Sequence, residues 1–460
     1  LRFSSAPAGS SAGSGALLVV LGLGLALRLL VFLVSQPWSP EQIEKRVLEG
    51  DAAEYQAVAE AFLHGEDPGE VGLARTPLYP LYLAGVYAVA GVRPWVAILG
   101  QILFAAGTLL LVHRLAARWF GPKTGCVAAA LYAIDPHSIV GACALLTDTL
   151  YTFLLLASVV LFLESLETRR RVGAVAAGLL LGAGALIRPV GLFLIPVYAL
   201  VVVFAGRRAL GIAVATATMV AVASALPVLP WMIRNQARWG EFAITTKGGS
   251  HLLTWVAAYT EVQRTGKPVE VVRAELLAAA DSAGAATAPN PFARARIQGE
   301  VAKRTLAAHP LFYAKVHIRG VIHVFTNLGT QGIARTLRIP PSKLDVEWFG
   351  GAGWRARLGS FFRSKSPAEF AIAGAVGLFL AIVYLAAARG VVRAFVSRRW
   401  EPLIVSLGLI LYFMAFVGPI GVGRYKLPFI PYLLTLAAVG LVPFGGGLRV
   451  ETGGGDRVEP

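Results

Sequence analysis

Charge is scarce in this chain, and acid scarcest of all. Only 15% of its 460 residues are charged, with 26 Asp plus Glu against 42 Lys plus Arg. A soluble domain carries about a quarter of its residues charged, so a soluble globular protein is excluded. Cysteine is limited to Cys126 and Cys143, near opposite ends of one apolar run. Two such residues make no disulfide framework and read as small packing side chains. The histidines at 64, 113, 137, 251, 309, 317 and 323 have no His-Glu-x-x-His or related metal spacing. There is no Walker loop, no Gly-x-Gly-x-x-Gly opening a soluble domain, no Asp-x-Asp pair in the hydrophilic loops and no serine-nucleophile motif. The net charge of +16 would suggest nucleic acid in a soluble chain. Here the excess Lys and Arg sits in short loops between apolar runs, where it reports topology and no nucleic-acid partner.

What the chain has is apolar length. It is 56% hydrophobic with a mean hydropathy of +0.66, and it holds 50 glycines. Small residues let membrane helices approach closely, so the expected fold is an all-α polytopic bundle. About 20 apolar residues cross a bilayer. Candidate spans run at 16–34, 95–113, 122–140, 144–164, 172–187, 189–205, 209–232, 369–389, 401–418 and 427–445, about ten transmembrane helices in all. The first lacks a small-residue cleavage site and reads as a retained span. Residues 77–91 are too short and carry Pro77 and Pro80, so they read as a re-entrant or interfacial helix.

One set of short loops holds Arg114, Arg118, Lys123, Arg169 to Arg171, Arg207, Arg208, Arg389, Arg393, Arg398 and Arg399; the opposite set holds Arg188, Arg424 and Lys426. The first set is cytoplasmic. Two hydrophilic parts then face the other side, residues 35–94 and 233–368. The resulting organisation is a first span (16–34), an external loop with a helix and a re-entrant helix (35–94), a bundle (95–232), a mostly helical external loop (233–368), C-terminal spans (369–445) and a disordered Gly-rich tail (446–460). The second loop reads as helices over Val269 to Asp281 and Phe292 to Ala308, a break at His309-Pro310, and an amphipathic stretch at the membrane surface.

Just after the first span comes GDAAEYQAVAEAFLHG. As a helix bracketed by Gly50 and Gly65, it puts Asp51, Glu54, Tyr55, Val58 and Phe62 on one face. Asp51, Glu54, Arg75, Asp135, Asp148, Arg188, Arg234, Lys247, Arg424 and Lys426 all fall on the non-cytoplasmic side. Each alone reads as a snorkelling anchor, and Asp51 as an acid beside a helix dipole. Together they predict a shared polar cavity. Guanidinium groups suit phosphate, and a carboxylate suits removal of a proton from a hydroxyl or amine. That pairing predicts group transfer with a phosphate leaving group. A divalent cation held by Asp51 with other carboxylates stays open, and metal ligands are unassigned. Arg28, the one charge inside a span, has no account from sequence.

Several segments then match one family in order: GDAAEYQAVAEAFLHG, ARTPLYPLYLAG, LLTDTLYTFLLL, IRPVGLFLIP, PWMIRNQARWG, AHPLFYAKVHIRG and GRYKLPFIPYLL. The sequence resembles the C-type membrane glycosyltransferases that use polyprenyl-phosphate sugars, among them protein O-mannosyltransferases, lipid A aminoarabinose transferases and their bacterial relatives. The resemblance implies the GT-C fold in a bacterial inner or plasma membrane, with an active site facing the periplasm or exterior. It implies an inverting transfer of a sugar from a polyprenyl-phosphate donor to a glycan, lipid or protein acceptor. It places Asp51 as the catalytic carboxylate, Asp148 as the acid of the next external loop and Arg75 at the donor phosphate. Placement extends the phosphate set to Arg188, Arg234 and Arg424, with Glu54, Tyr55 and Lys426 behind them. The mannosyltransferase branch carries Asp-Glu where this chain has Asp51-Ala52, so that branch's second acid is missing.

Rival readings are an oligosaccharide transferase or ligase drawing on a polyprenyl-pyrophosphate glycan, and a lipid or polysaccharide transporter. A transporter predicts midplane charges and paired broken helices; no halves are visible in the sequence.

Overall fold

A computed structural model describes residues 11–198, 210–340 and 365–442. Every regular element among these residues is helical. Among the described residues, Gly15–Ser35, Pro94–Phe120, Asp148–Thr168, Gly211–Trp239 and Pro367–Val396 are the 5 helices long and apolar enough to cross a membrane. The chain is an all-α integral membrane protein.

Other expected spans of the ten are shorter or interrupted at specific breaks among the described residues. The run 122–140 splits into Pro122–Ile134 and Pro136–Ala142, because Asp135-Pro136 interrupts it. Asp135 caps the second piece, its Oδ2 accepting from the Ser138 amide at 2.7 Å. The run 189–205 opens as a 3₁₀ turn at Pro189–Leu194, and its end lies outside the described residues. The run 427–445 opens as a 3₁₀ turn at Gly423–Phe429, with Pro428 inside, and continues as Ile430–Leu441. Arg171–Ala185 and Trp400–Ala415 are apolar but shorter. Leu78–Ala90 is a helix of 13 residues, about 20 Å long and short of a membrane core about 30 Å thick. The expected disordered tail at 446–460 lies outside the described residues.

Small residues set the helix pairs, as their abundance predicts. A Cβ at Gly182 would strike the Ser224 carbonyl, and one at Gly440 the Ala386 carbonyl. These contacts bring Arg171–Ala185 against the 211–239 helix and Ile430–Leu441 against Pro367–Val396.

Arg28 now has a physical role. It is 1% exposed and donates to the carbonyls of Gly24 at 2.9 Å, Ala133 at 3.2 Å and Tyr132 at 3.2 Å. The last two are at the C-terminal end of Pro122–Ile134, where carbonyls lack helical partners and a cation is favoured. Proline 136 ends that helix inside the bundle, and Arg28 satisfies what the break exposes.

The helices expected between residues 269 and 326 are present. Val269–Ser282, Pro291–Ala307 and Pro310–Thr326 are helices, the last opening at the His309-Pro310 break. Asn290 caps the second by accepting from the Ala293 amide at 2.8 Å. Before them, Lys247–Thr265 is one helical run with a π segment at Leu252–Ala257.

Candidate functional site

The opening motif is the helix Asp51–His64. Gly50 at φ 61° and ψ −124° turns the chain into it, and Gly65 at φ 70° ends it, backbone that favours glycine. Tyr55 and Val58 are buried on its inner face. Asp51 is the first helical residue, with its carboxylate aimed at two arginines. Arg75 Nη2 donates to Asp51 Oδ1 at 2.6 Å, and Arg424 Nη2 donates to Oδ2 at 2.6 Å. Arg75 also donates through Nε to Glu54 Oε2 at 2.7 Å and lies over the Tyr55 ring at 4.9 Å. Beside this group, Arg188 Nη2 donates to Asp148 Oδ1 at 2.6 Å and Nε to Thr147 Oγ1 at 3.1 Å. Asp148 is fully buried, and its Oδ2 has no hydrogen-bond partner.

These side chains converge because short loops are tied together beneath them. Thr76 Oγ1 donates to the Ile187 carbonyl at 2.7 Å, and the Leu78 amide to Leu186 at 3.0 Å, joining the Arg75 and Arg188 loops. Thr245 Oγ1 donates to the Leu73 carbonyl at 2.9 Å, bringing Lys247 alongside. Tyr55 packs edge-on against Tyr79 at 5.0 Å; Tyr79 donates to Gln101 at 2.7 Å, and Gln101 to the Ala144 carbonyl at 2.6 Å, just ahead of Asp148. Arg118 lies 17 residues along the same helix from Gln101, about 25 Å away. There it binds Glu401 at 2.6 Å and Glu167 at 2.9 Å in the basic layer expected to be cytoplasmic.

Electrostatics follow from this packing. Burial would raise the Asp51 carboxyl, but Arg424, Arg75 and Lys247 outweigh it and hold it well below the usual carboxylate range. Burial disfavours the charge on Arg424, yet Asp148 and Asp51 hold its pKa above the ordinary value. Lys247 is lowered to about 8, by burial first and then by Arg75, with Asp51 and Glu54 opposing. His251 is pushed down to about 4 by burial and by Lys247.

Asp51, Asp148 and Arg424 line a cavity of about 790 Å³. Leu145, Leu146, Leu328, Ile333 and Leu427 give it apolar walls, and Arg46, Arg335 and Lys365 add further cations. A polar corner beside an apolar trough suits an amphiphile with an anionic head.

The structure thus brings together Asp51, Glu54, Tyr55, Arg75, Asp148, Arg188 and Arg424. It does not bring Arg234, which stacks on Trp231 at 4.5 Å and faces Asp67 at 4.0 Å. Proximity to Trp231, three residues earlier on the same helix, decides its direction. Lys426 is 1% exposed and donates to the Asn327 carbonyl at 2.9 Å, behind the cavity wall. Asp135 is likewise absent from the lining, held by its capping bonds. Glu54 grips Arg75, where the sequence leaves it facing solvent or supporting. His251 was not singled out by sequence; only its spacing of four from Lys247 marks it. Among the described residues no three His, Cys, Asp or Glu side chains converge on a possible metal position.

Residues 74–231 match the family described as dolichyl-phosphate-mannose-protein mannosyltransferase. No curated protein matches the chain. Among solved structures, the Archaeoglobus fulgidus oligosaccharyltransferase in complex with Zn and sulfate superposes with a TM-score of 0.52 at 16% identity, covering 93% of this chain and 48% of that one. Its apo form gives 0.51 at 16% identity, covering 92% and 50%. ArnT from Cupriavidus metallidurans in the apo state gives 0.42 at 17% identity, covering 94% and 78%. The chain therefore spans about half the length of the oligosaccharyltransferase. It shares its fold with part of that oligosaccharyltransferase over nearly all of its own length.

Proposed function

We propose that this membrane protein is a glycosyltransferase that draws on a polyprenyl-linked phosphate donor at the non-cytoplasmic face. The observation that carries the reading is the Asp51 carboxylate bridging Arg75 and Arg424 at 2.6 Å each, on the wall of a half-apolar cavity. The arginines are the donor-phosphate clamp, Asp51 is the base, and the apolar trough takes the first isoprene units.

In the resting site Asp51 is a weak base, because both of its oxygens already accept charged hydrogen bonds. A donor phosphate entering between Arg75 and Arg424 takes those bonds over and leaves Asp51 free and more basic. The acceptor O–H or N–H attacks the anomeric carbon from the side opposite the phosphate. Its proton passes to Asp51, the bond from that carbon to the phosphate oxygen breaks, and the electron pair stays on the phosphate. The anomeric centre inverts. Arg75, Arg424 and Lys247 stabilise the growing charge. Arg188 holds Asp148 in place beside Arg424.

Two donor classes are compatible with this site. A glycan on a polyprenyl pyrophosphate is favoured by the likeness in fold to oligosaccharyltransferases and by the number of cations, Arg75, Arg188, Arg424 and Lys247, which exceeds what one phosphate needs. A monosaccharide phosphate is favoured by the family match over 74–231. The test is a nanodisc assay with undecaprenyl-phosphate monosaccharides and, separately, undecaprenyl-pyrophosphate oligosaccharides. Membrane extract supplies acceptors, and released lipid phosphate or pyrophosphate is measured. Release from one class supports the reading and names the donor. Absence of both binding and release for every donor overturns it.

A further inference from the structure

The helical run Lys247–Thr265 begins beside the site, where the Thr246 amide donates to the Leu73 carbonyl at 3.0 Å. Lys247, at its start, is coupled electrostatically to Asp51, Arg75, Glu54 and Arg424. From His251 outward, aromatic rings follow at every fourth residue. His251 and Trp255 have centroids 6.1 Å apart and planes 24° apart; Trp255 and Tyr259 are 5.8 Å apart and 7° from parallel. Arg273, from Val269–Ser282, spans the outer pair, its guanidinium carbon 4.6 Å from the Trp255 centroid and 5.4 Å from Tyr259. Arg273 Nε donates to the Thr254 carbonyl at 3.0 Å, while Nη2 is buried without a hydrogen-bond partner.

A core explanation fails for Trp255, the middle of this row. Trp255 is 40% exposed, whereas a packing aromatic on an external helix turns inward with Leu253 and Ala257, which are fully buried. The π segment at Leu252–Ala257 changes the helical register in the middle of the row, and such segments are common at functional positions. The row is about 12 Å long from 251 to 259, longer than one sugar ring. It combines flat aromatic surface, hydrogen-bonding edges on His251 and Tyr259, and a guanidinium. These are the groups that bind a pyranose, whose C–H face lies on an aromatic ring while its hydroxyls reach polar neighbours. At neutral pH His251 is uncharged, so it serves as a ring and as a hydrogen-bonding edge.

We propose that the row His251, Trp255 and Tyr259, with Arg273, is the acceptor track: it binds the carbohydrate chain of a glycan acceptor and guides its end toward Asp51. This deepens the proposed glycosyl transfer, and rests on it, by committing the acceptor to a carbohydrate. A peptide or a bare lipid acceptor has no use for the row. The competing occupant is the membrane itself, since Trp and Tyr also settle at lipid headgroups.

The test uses the full chain in nanodiscs. Binding of chitotetraose, mannotetraose, maltotetraose and cellotetraose is measured by saturation-transfer NMR and by titration, and undecaprenyl phosphate binding is measured on the same samples. At least one oligosaccharide is expected to bind. Trp255→Ala and Tyr259→Ala are expected to weaken it about two- to tenfold, the range of a lost aromatic contact, and Trp255→Phe to restore most of it. Binding of none of the oligosaccharides by wild type, or equal binding by all variants, overturns the track. So does quenching of Trp255 by brominated acyl chains, read as the quenching lost in Trp255→Phe, without any response to sugar. Oligosaccharide binding without lipid-phosphate binding would keep the track and refute the donor reading; the converse would refute the track alone.

Discussion

Replacing Asp51 with Asn separates a catalytic base from an acid that merely spaces two arginines. The amide keeps the shape and one good acceptor, and Arg75 keeps Glu54 at 2.7 Å, so the loop stays in place. Loss of a general base lowers turnover about a hundred- to ten-thousand-fold, about 2.7–5.5 kcal/mol of barrier. Donor binding moves the other way. Glu54, Asp51 and Asp148 pair with Arg75, Arg424 and Arg188, so the substitution leaves one more cation uncompensated. A unit charge about 5 Å from a phosphate contributes about 1–3 kcal/mol between surface and bulk dielectric values. Solvent exposure of the site pulls this to the low end, giving about tenfold tighter binding of undecaprenyl phosphate. The assay is single-turnover transfer alongside lipid-phosphate titration in nanodiscs. Turnover within a factor of about ten of wild type, or donor binding weakened in step with turnover, would refute the assignment of Asp51 as base.

Three further outcomes follow from the same geometry. Arg424→Met removes the main opponent of Asp51 protonation, so its carboxyl pKa rises, the acid limb of the kcat/KM profile moves to higher pH, and donor affinity falls. An unshifted limb would show that another group controls it. Lys247 is protonated below about 8 and neutral above, so donor affinity should drop as pH rises through that value; Lys247→Arg should abolish the drop, and its persistence would exonerate Lys247. Arg28→Met leaves buried carbonyls of Ala133 and Tyr132 without donors, at about 1–3 kcal/mol each, so the melting temperature in detergent should fall while turnover at low temperature persists. Unchanged melting would mean that neighbouring groups or water take over those carbonyls.

Local patterns carried far in this chain. The Gly50 and Gly65 brackets, the i, i+3, i+4 face of the first external helix and the His309-Pro310 break are all legible because each is decided within a few residues. Span counting was less secure, since hydropathy averages over Asp135-Pro136 and Pro428, where a single residue removes a helical hydrogen bond. Asp51, Arg75, Asp148, Arg188 and Arg424 could be listed by side and depth, but not paired. Their pairing depends on Thr76, Thr245 and Gln101, which bind backbone carbonyls far away in sequence and look ordinary in the chain. Arg234 shows the opposite limit: depth put it with the set, and stacking on Trp231 turned it aside. The role of Arg28 needed the partner helix, because the carbonyls it satisfies are more than a hundred residues away.

The alternating row Glu54, Arg75, Asp51, Arg424, Asp148 and Arg188 also bears on which molecules stay out. A membrane surface is crowded with anionic phospholipids, and bare arginines at that depth would be occupied permanently by whichever headgroup is most abundant. Within this row every arginine already has a carboxylate, so a headgroup gains less there by charge alone. Only a molecule that fills the trough and reaches both Arg75 and Arg424 at once can displace Asp51. On the proposed donor reading, this pairing works as a filter against common lipids, and a carrier is admitted by fit.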